Sequence, residues 1–419
     1  MNEISNSLLN ENDKSFDDTI LYGKDSTLGI VSVSANRKGI ATVWRRVDGE
    51  IIQEIESFNN WFVISDPSLL DGIKAQHEVF ELSGGHPFKY QVLTKNYTTL
   101  EYGIVKNYNA KYKTKHKSFY DLPESAVVHF PTTEQYLIST GRTYFKGMNW
   151  GDPHRLQFDL ETYSLNPQEG GIFLIAIKDN RGYERIIDDS SISEAELIRE
   201  LIRIIQERDP DIIENHNIFD FDLPFLFHRA KMHKIKLTLG LDGSTIWTQR
   251  GTLKVGESTV SFTRYCMRGR EVIDTLHAVR RWNAISRELT SEGLKEAAQY
   301  FSISSENREY IDGDKIGEVW KSDKERVRRY AIDDIREVAG LSDMLMQDKF
   351  NLAQIIPTPL EKVATGGTAS ALDAIMIRGY LQSECGMRNA ELKRLIIPNS
   401  EIRNPNSGRG IAYPSPKKE

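Results

Sequence analysis

The chain has 419 residues, 27% of them charged and 39% hydrophobic, with a net charge of −6. This composition excludes disordered and collagen-like chains, and the length exceeds one ordinary core, so two or three domains are expected. The small acidic excess excludes no partner, because a basic groove can sit inside an acidic average.

The two cysteines, Cys266 and Cys385, and the nine histidines form no zinc-type or disulfide-type spacing. A reducing, intracellular setting is therefore expected. The polar opening MNEISNSLLNENDKSF is neither a signal peptide nor a transit peptide, and no apolar run reaches about 18 residues, so no membrane partner is predicted. Residues 1–18 read as a flexible tail. Residues 19–145 carry short β-type runs, such as LGIVSVSA and WFVIS, broken by Gly, Asp, Asn and Pro. No long helical period is read there, so a β-rich N-terminal domain is predicted. Within it, KYKTKHKSFY (111–120) alternates Lys111, Lys113, Lys115 and Lys117 with other residues. Read as a strand, it has one basic face, which could follow a phosphate backbone or protect a sheet edge.

From 146 to 355 strand patterns alternate with helical ones, which predicts an α/β domain with a mixed sheet. In RLQFDLET (155–162) Leu156, Phe158 and Leu160 alternate with Gln157, Asp159 and Glu161. This is a half-buried strand with Asp159 and Glu161 on one face, about 6 to 7 Å apart. The two acids either face water or share a divalent cation that offsets their repulsion. The continuous apolar run GGIFLIAIKD predicts a buried neighbouring strand.

SISEAELIRELIRIIQERDP predicts a helix opened by a Ser193–Glu196 capping box and stopped at Pro210. DIIENHN reads as a strand and LPFLFHRAKMHK as a helix with Pro224 in its first turn. Asp222 then sits at the helix N-cap, where capping alone would explain it. Asp220 lies in the preceding turn. TLKVGESTVSFTRY reads as a β-ribbon that could reach a substrate strand, followed by Arg264, Arg268, Arg270, Arg280 and Arg281. Asp274, inside the apolar VIDTLH, is either structural or a support for a metal site. SDKERVRRYAIDDIREVAGL predicts a helix with a Ser322–Glu325 capping box. Tyr330 and Asp334 share its largely apolar face, where an acid needs a partner or a metal. Asp333 is expected to pair with Arg329 on the surface. Residues 356–419 contain one helical run, ALDAIMIRGYL, and otherwise loop-type sequence. Residues 361–419 are expected to pack back on the N-terminal or nuclease domain.

FDLET, NIFDFDLPFL and YAIDD, in this order, resemble the three exonuclease motifs of the B-family DNA polymerases, Asp-x-Glu, Asn-x-x-x-Phe-Asp and Tyr-x-x-x-Asp. GRTYFKGMNW and LKEAAQYFSI add to the resemblance. It implies a ribonuclease H-like exonuclease domain of the tyrosine (DEDDy) branch. It further implies that Asp159, Glu161, Asp222 and Asp334 hold two divalent cations, Mg²⁺ with Mn²⁺ as the alternative, about 4 Å apart. Tyr330 would orient the attacking water. Asn217 and Phe221, with Thr162 and Leu165, would contact the terminal nucleotides of the substrate. The second motif fits two registers. Asn215 and Phe219 pair with Asp220, whereas Asn217 and Phe221 pair with Asp222. The family's Leu-Pro-Phe-Leu sequel follows Asp222 only, which selects Asp222 and leaves Asp220 as the alternative.

The implied activity is a metal-dependent 3′–5′ DNA exonuclease acting on single-stranded 3′ ends or primer–template DNA, in the cytoplasm near the nucleoid. The polymerase signatures Asp-x-x-Ser-Leu-Tyr-Pro and Tyr-x-Asp-Thr-Asp-Ser do not occur, so no synthesis by this chain alone is expected. Residues 356–419 would lead towards an absent palm domain, which a separate polymerase chain could supply. An RNA exonuclease and a non-catalytic nucleic-acid-binding subunit of a split polymerase remain the alternatives.

Overall fold

The computed structural model describes residues 21–82 and 88–382. The expectations for the tail, for Cys385 and for the loop-type sequence after residue 382 lie outside the described residues. No described helix is long and apolar enough to cross a membrane.

The N-terminal part is β-rich, as expected. β1 (Ile30–Ala35), β2 (Ile40–Val47) and β3 (Glu50–Ser57) form an antiparallel meander. β4 (Asn60–Ile64), β5 (His77–Glu81), β6 (Tyr90–Thr94) and β7 (Val127–Val128) form a second sheet in the order β5-β6-β4-β7. The part also holds two helices that the sequence reading missed, α1 (Tyr97–Tyr112) and α2 (Thr132–Thr140). In α1 the buried apolar face is Tyr97, Leu100, Ile104 and Tyr108, with Glu101 buried beside it in a pair with Arg37. That is helical spacing, but tyrosines carry half of it, among Thr and Asn residues that favour strands and turns.

The same helix overturns the strand reading of residues 111–120. Lys111 belongs to the last turn of α1 and pairs with Asp66 at 2.5 Å. Lys113 is a left-handed C-cap with φ 53°. The Asn109 side chain then folds the following loop back, accepting from the His116 amide at 2.9 Å and donating to its carbonyl at 2.9 Å. The four lysines share no strand face.

The central sheet contains β8 (Arg155–Thr162), β9 (Ile172–Asp179), β10 (Glu184–Asp188), β11 (Ile212–Asn215) and β14 (Glu271–Asp274), in the order β10-β9-β8-β11-β14. β8 runs antiparallel to β9 and parallel to β11, and β11 runs parallel to β14. The sheet is therefore mixed, as the alternating pattern predicts. β12 (Trp247–Val255) and β13 (Ser258–Cys266) form a separate, mostly exposed ribbon. The five arginines around it are tied within the chain. Arg264 pairs with Glu361, Arg268 with Asp242, Arg270 with Asp209 and Arg280 with Glu292, while Arg281 donates to the Ala364 and Gly366 carbonyls.

One sheet face packs Leu156, Phe158, Leu160, Ile175 and Ile177 against α3 (Glu194–Arg208) and α4 (Asp222–Met232). Ser193 and Glu196 cap α3 reciprocally, as their spacing predicts, with the Ser193 amide 2.7 Å from Glu196 Oε2. For α4, the N-cap residue is Phe221 rather than Asp222. Asp222 is the first helical residue and makes no capping bond. After α5 (Thr275–Ser286), α6 (Leu294–Tyr300) and α7 (Ile316–Ser322) comes the long α8 (Lys324–Leu345), which covers the other sheet face through Phe173, Leu174 and Ala176 of β9. The predicted Ser322 cap does not form, because Ser322 ends α7. Asp323 caps α8 instead, accepting from the Arg326 amide at 3.0 Å.

The last described helices are α9 (Gln347–Ala353), α10 (Leu360–Thr365) and α11 (Thr368–Gln382), of which α10 and α11 pack back as expected. Phe350, Leu360 and Val363 share a core with Val31 and Val43 of the first meander and with Ile212 and Ile273 of the central sheet. A buried ion pair ties the same parts together. Arg46 of β2 holds Asp211 through Nε at 2.7 Å and Nη2 at 2.8 Å, and Asp211 also accepts from the His154 amide at 2.7 Å. Replacing one partner leaves the other charge buried and uncompensated. Asp211→Ala should therefore cost about 3 kcal/mol of stability, measured as a lower midpoint in denaturant unfolding. An unchanged midpoint would remove this tie from the account of the fold.

Candidate active site

β8 has the predicted period of two, but its polar side does not face water. The even residues enter the core with α3 and α4, and the odd residues lie under α8. Glu161 is 5% exposed and Asp159 half-buried. Asp334, one turn after Tyr330 on α8, completes the group. One carboxylate oxygen from each of Asp159, Glu161 and Asp334 lies within 4.8 Å of the others. The parallel strands β8, β11 and β14 all end at this edge, where open α/β sheets usually bind ligands.

The turn from β11 into α4 brings in Asp222. Asp274, at the end of β14, organises this turn and its own helix together. Its Oδ1 accepts from the Asn217 amide at 2.8 Å and the Leu276 amide at 2.9 Å, and its Oδ2 from the Phe219 amide at 3.4 Å. Asn217 adopts φ 74°, a left-handed conformation that Asn tolerates better than most residues. Phe219 is thereby buried, Asp220 is turned to solvent and Asp222 is driven inward, 1% exposed. Both Asp222 oxygens and Glu161 Oε1 are buried without a hydrogen-bond partner. The Asp222 charge repels those of Asp159 and Glu161. Asn215, the last residue of β11, donates to Asp159 Oδ1 at 3.1 Å.

Burial raises all four carboxyls, and mutual repulsion adds to it for Glu161, Asp222 and Asp334. Asp159 is pushed up to about 6 and Asp334 to about 7. Two cations oppose the rise. Lys295 Nζ lies 4.5 Å from the centroid of the Tyr330 ring, and the Arg308 guanidinium bonds Asp334 Oδ1. Tyr330 is 5% exposed and pushed well up by burial and by Asp334, so its phenol stays protonated. A divalent cation fits this donor set, because hard oxygens with raised proton affinity and unsatisfied lone pairs are what such an ion neutralises.

The other predicted contacts are spread around this edge. Thr162 ends β8 with its hydroxyl on the Ser164 carbonyl at 3.0 Å, and Leu165 is 79% exposed on the loop beyond it. Asn217 and Phe221 belong to the turn before α4, and the Phe221 ring lies 5.6 Å from Phe225. Asp333 does not pair with Arg329. It accepts from the Glu309 amide at 3.1 Å, while Arg329 binds Glu309 at 3.0 Å. Sequence reasoning missed Lys295 and Arg308. Lys295 lies in the LKEAAQYFSI stretch noted for its resemblance, whereas Arg308 sits in a polar loop without periodicity.

Residues 144–296 match the family model for the exonuclease domain of DNA polymerase family B. That stretch is similar to the exonuclease domain of family B DNA polymerases. A DNA polymerase of Pyrococcus glycovorans is 30% identical over 261 residues, which are 59% of this chain and 32% of the relative. DNA polymerase 2 of Aeropyrum pernix is 26% identical over 230 residues, 53% of this chain and 27% of its own. The chain thus spans about a third of the length of the curated relatives it matches. The family B DNA polymerase of the hyperthermophilic archaeon Pyrobaculum calidifontis shares the fold, with a TM-score of 0.64 at 19% identity, covering 90% of this chain and 52% of that one. The exonuclease-domain match ends at 296, before Arg308, Tyr330 and Asp334, but the structural match extends over most of the chain.

The raised carboxyls give the protein a pH signature. A carboxyl whose folded pKa exceeds its unfolded value near 4 contributes stability that is complete below that value and lost as pH rises through the folded pKa. In chelator, the protein should therefore lose thermal stability as pH rises from about 4 to about 7. Mg²⁺ should restore it at about pH 8, where the ligands are deprotonated, and do little at about pH 5. Melting curves at both pH values, with chelator or Mg²⁺, check this; equal Mg²⁺ effects at both would contradict it.

Proposed function

We propose that the chain is a metal-dependent 3′–5′ exodeoxyribonuclease of the proofreading type, with Asp159, Glu161, Asp222 and Asp334 as the metal-binding carboxylates. The observation that carries this reading is the convergence of Asp159, Glu161 and Asp334 within 4.8 Å at the end of the parallel strands, with the orphaned Asp222 carboxyl repelling Asp159 and Glu161. Bound divalent cations, Mg²⁺ or Mn²⁺, would supply positive charge at the scissile phosphate and lower the pKa of a water.

The chain's own groups do the rest. Tyr330, kept protonated by its surroundings, orients the attacking water by a hydrogen bond and is no base. Asn217 offers a hydrogen bond to the terminal nucleotide and Phe221 an aromatic face, and Thr162 and the exposed Leu165 add further contacts. An unpaired 3′ end reaches such a recessed cluster more easily than a matched duplex does. DNA rather than RNA is favoured by the DNA polymerase relatives alone. We further propose that it acts inside the cell at the nucleoid, with a polymerase-domain chain as its partner. A domain order of residues 19–145, 146–355 and 356–419 belongs to the same proposal.

Asp222→Asn should lower hydrolysis of 5′-labelled single-stranded DNA in Mg²⁺ by about 100-fold, or about 2.7 kcal/mol on the barrier. Asp220→Asn should stay within about tenfold of the wild type. Gel analysis of the products, with chelator as the blank, is the measurement. Degradation in chelator, or an essential Asp220 beside a dispensable Asp222, would sink the assignment.

A further inference from the structure

Arg308 stands just outside the carboxylate cluster, on the loop between α6 and α7, with 1% of its side chain exposed. Its guanidinium is divided among three acids of α8. Nη2 donates to Asp334 Oδ1, Nε donates to Glu337 Oε1 at 2.9 Å, and Nη1 lies 3.8 Å from Asp333 Oδ2. Its Cζ also lies 5.1 Å from the centroid of the Tyr330 ring. One side chain thus touches both α8 residues assigned to the site.

The loop that carries it is fastened to the same helix. Ser304 Oγ donates to Glu337 Oε1 at 2.6 Å. Glu309 donates its amide to Asp333 at 3.1 Å, and its carboxylate pairs with Arg326 at 3.3 Å and Arg329 at 3.0 Å. Ile303 rests on Gly340 of α8, where a Cβ would lie 2.4 Å from Ile303 Cγ2. The guanidinium is therefore held in place independently of Asp334.

We propose that Arg308 is a positioning residue for the nuclease described above: by engaging one oxygen of Asp334 it fixes the orientation in which that carboxylate meets a divalent cation. The inference rests on the metal-binding reading and deepens it. A carboxylate free to rotate beside three other acids would swing away from them, and a cation would then have to bear the cost of ordering it. Hydrogen-bond partners behind metal ligands have this effect in general and change metal affinity by about 10- to 100-fold. Competition with the cation is the opposite expectation. It is disfavoured because Glu337 and Asp333 already balance the Arg308 charge and hold the group where it is.

The test is Mn²⁺ binding to the full chain, followed by the loss of the free-ion paramagnetic resonance signal at about pH 8. Wild type is compared with Arg308→Gln, Arg308→Lys, Asp334→Asn and the double variant Arg308→Gln/Asp334→Asn. Arg308→Gln should weaken binding by about 10-fold or more. Arg308→Lys should recover part of the loss, because an ammonium keeps the charge without the planar fork. Arg308→Gln should add no further loss on the Asp334→Asn background. Wild-type affinity in a folded but less thermally stable Arg308→Gln would reduce Arg308 to an ion pair of the fold and overturn the proposal. Tighter binding would mark it as a competitor, and additive losses would separate it from Asp334; either result also overturns it. If Arg308→Gln fails to fold, Arg308→Lys decides alone, with wild-type affinity as the overturning result. Absence of saturable Mn²⁺ binding in the wild type would remove the metal-binding reading itself, whereas normal wild-type binding with an unaffected Arg308→Gln would remove only the role of Arg308.

Discussion

Crowding of carboxylates in a place short of water governs this molecule. Asp159 and Glu161 on one strand, Asp334 on the helix above it and Asp222 on the helix beside it repel one another, and burial makes each charge dearer still. Such a cluster persists only where the backbone leaves it no choice. Here β8 is held by β9 and β11, α8 by its apolar seat on β9, and the 215–222 turn by Asp274. Protons, Lys295 and Arg308 relieve the strain in part, and a divalent cation would relieve more of it.

Asp274 shows how much of the arrangement lies one step away from the acids. It is not one of the converging acids, although its charge repels that of Asp222. Yet its two oxygens close the turn that buries Phe219, exposes Asp220 and sends Asp222 inward, while also capping α5. The second-motif ambiguity, two aspartates in two registers, is thus expressed in three dimensions as one buried and one exposed carboxylate.

Most of the central sheet was legible in the sequence because its periods are unmixed. β8 alternates, β9 is apolar throughout, and α3 opens on a capping box that forms as written. The N-terminal helices were not legible, since α1 presents its buried face as tyrosines and leucine among strand-favouring residues. Capping positions failed where a neighbour supplied a better acceptor, as Asp323 did beside Ser322, or where the helix began one residue early, as at Phe221. Among the carboxylates, the two on β8 and the Tyr330–Asp334 pair could be placed on faces from spacing alone. The cations could not, because Arg308 reaches Asp334 from a loop whose course depends on Glu337, Asp333 and Gly340.

The seat of α8 has a further consequence. Its apolar anchor is β9, through Phe173, Leu174 and Ala176, with Trp320 stacked on Phe173 at 5.0 Å. The acids lie on the adjacent strand, which contributes nothing to that cluster. The apolar part of the anchorage is thus carried by β9, while β8 carries the acids and holds α8 by polar bonds from Arg155 to Asp343 and Ser342. Exchanging Asp159 or Glu161 would touch neither the apolar seat on β9 nor the Arg155 bonds, so the acids of β8 are separable from what seats the helix above them.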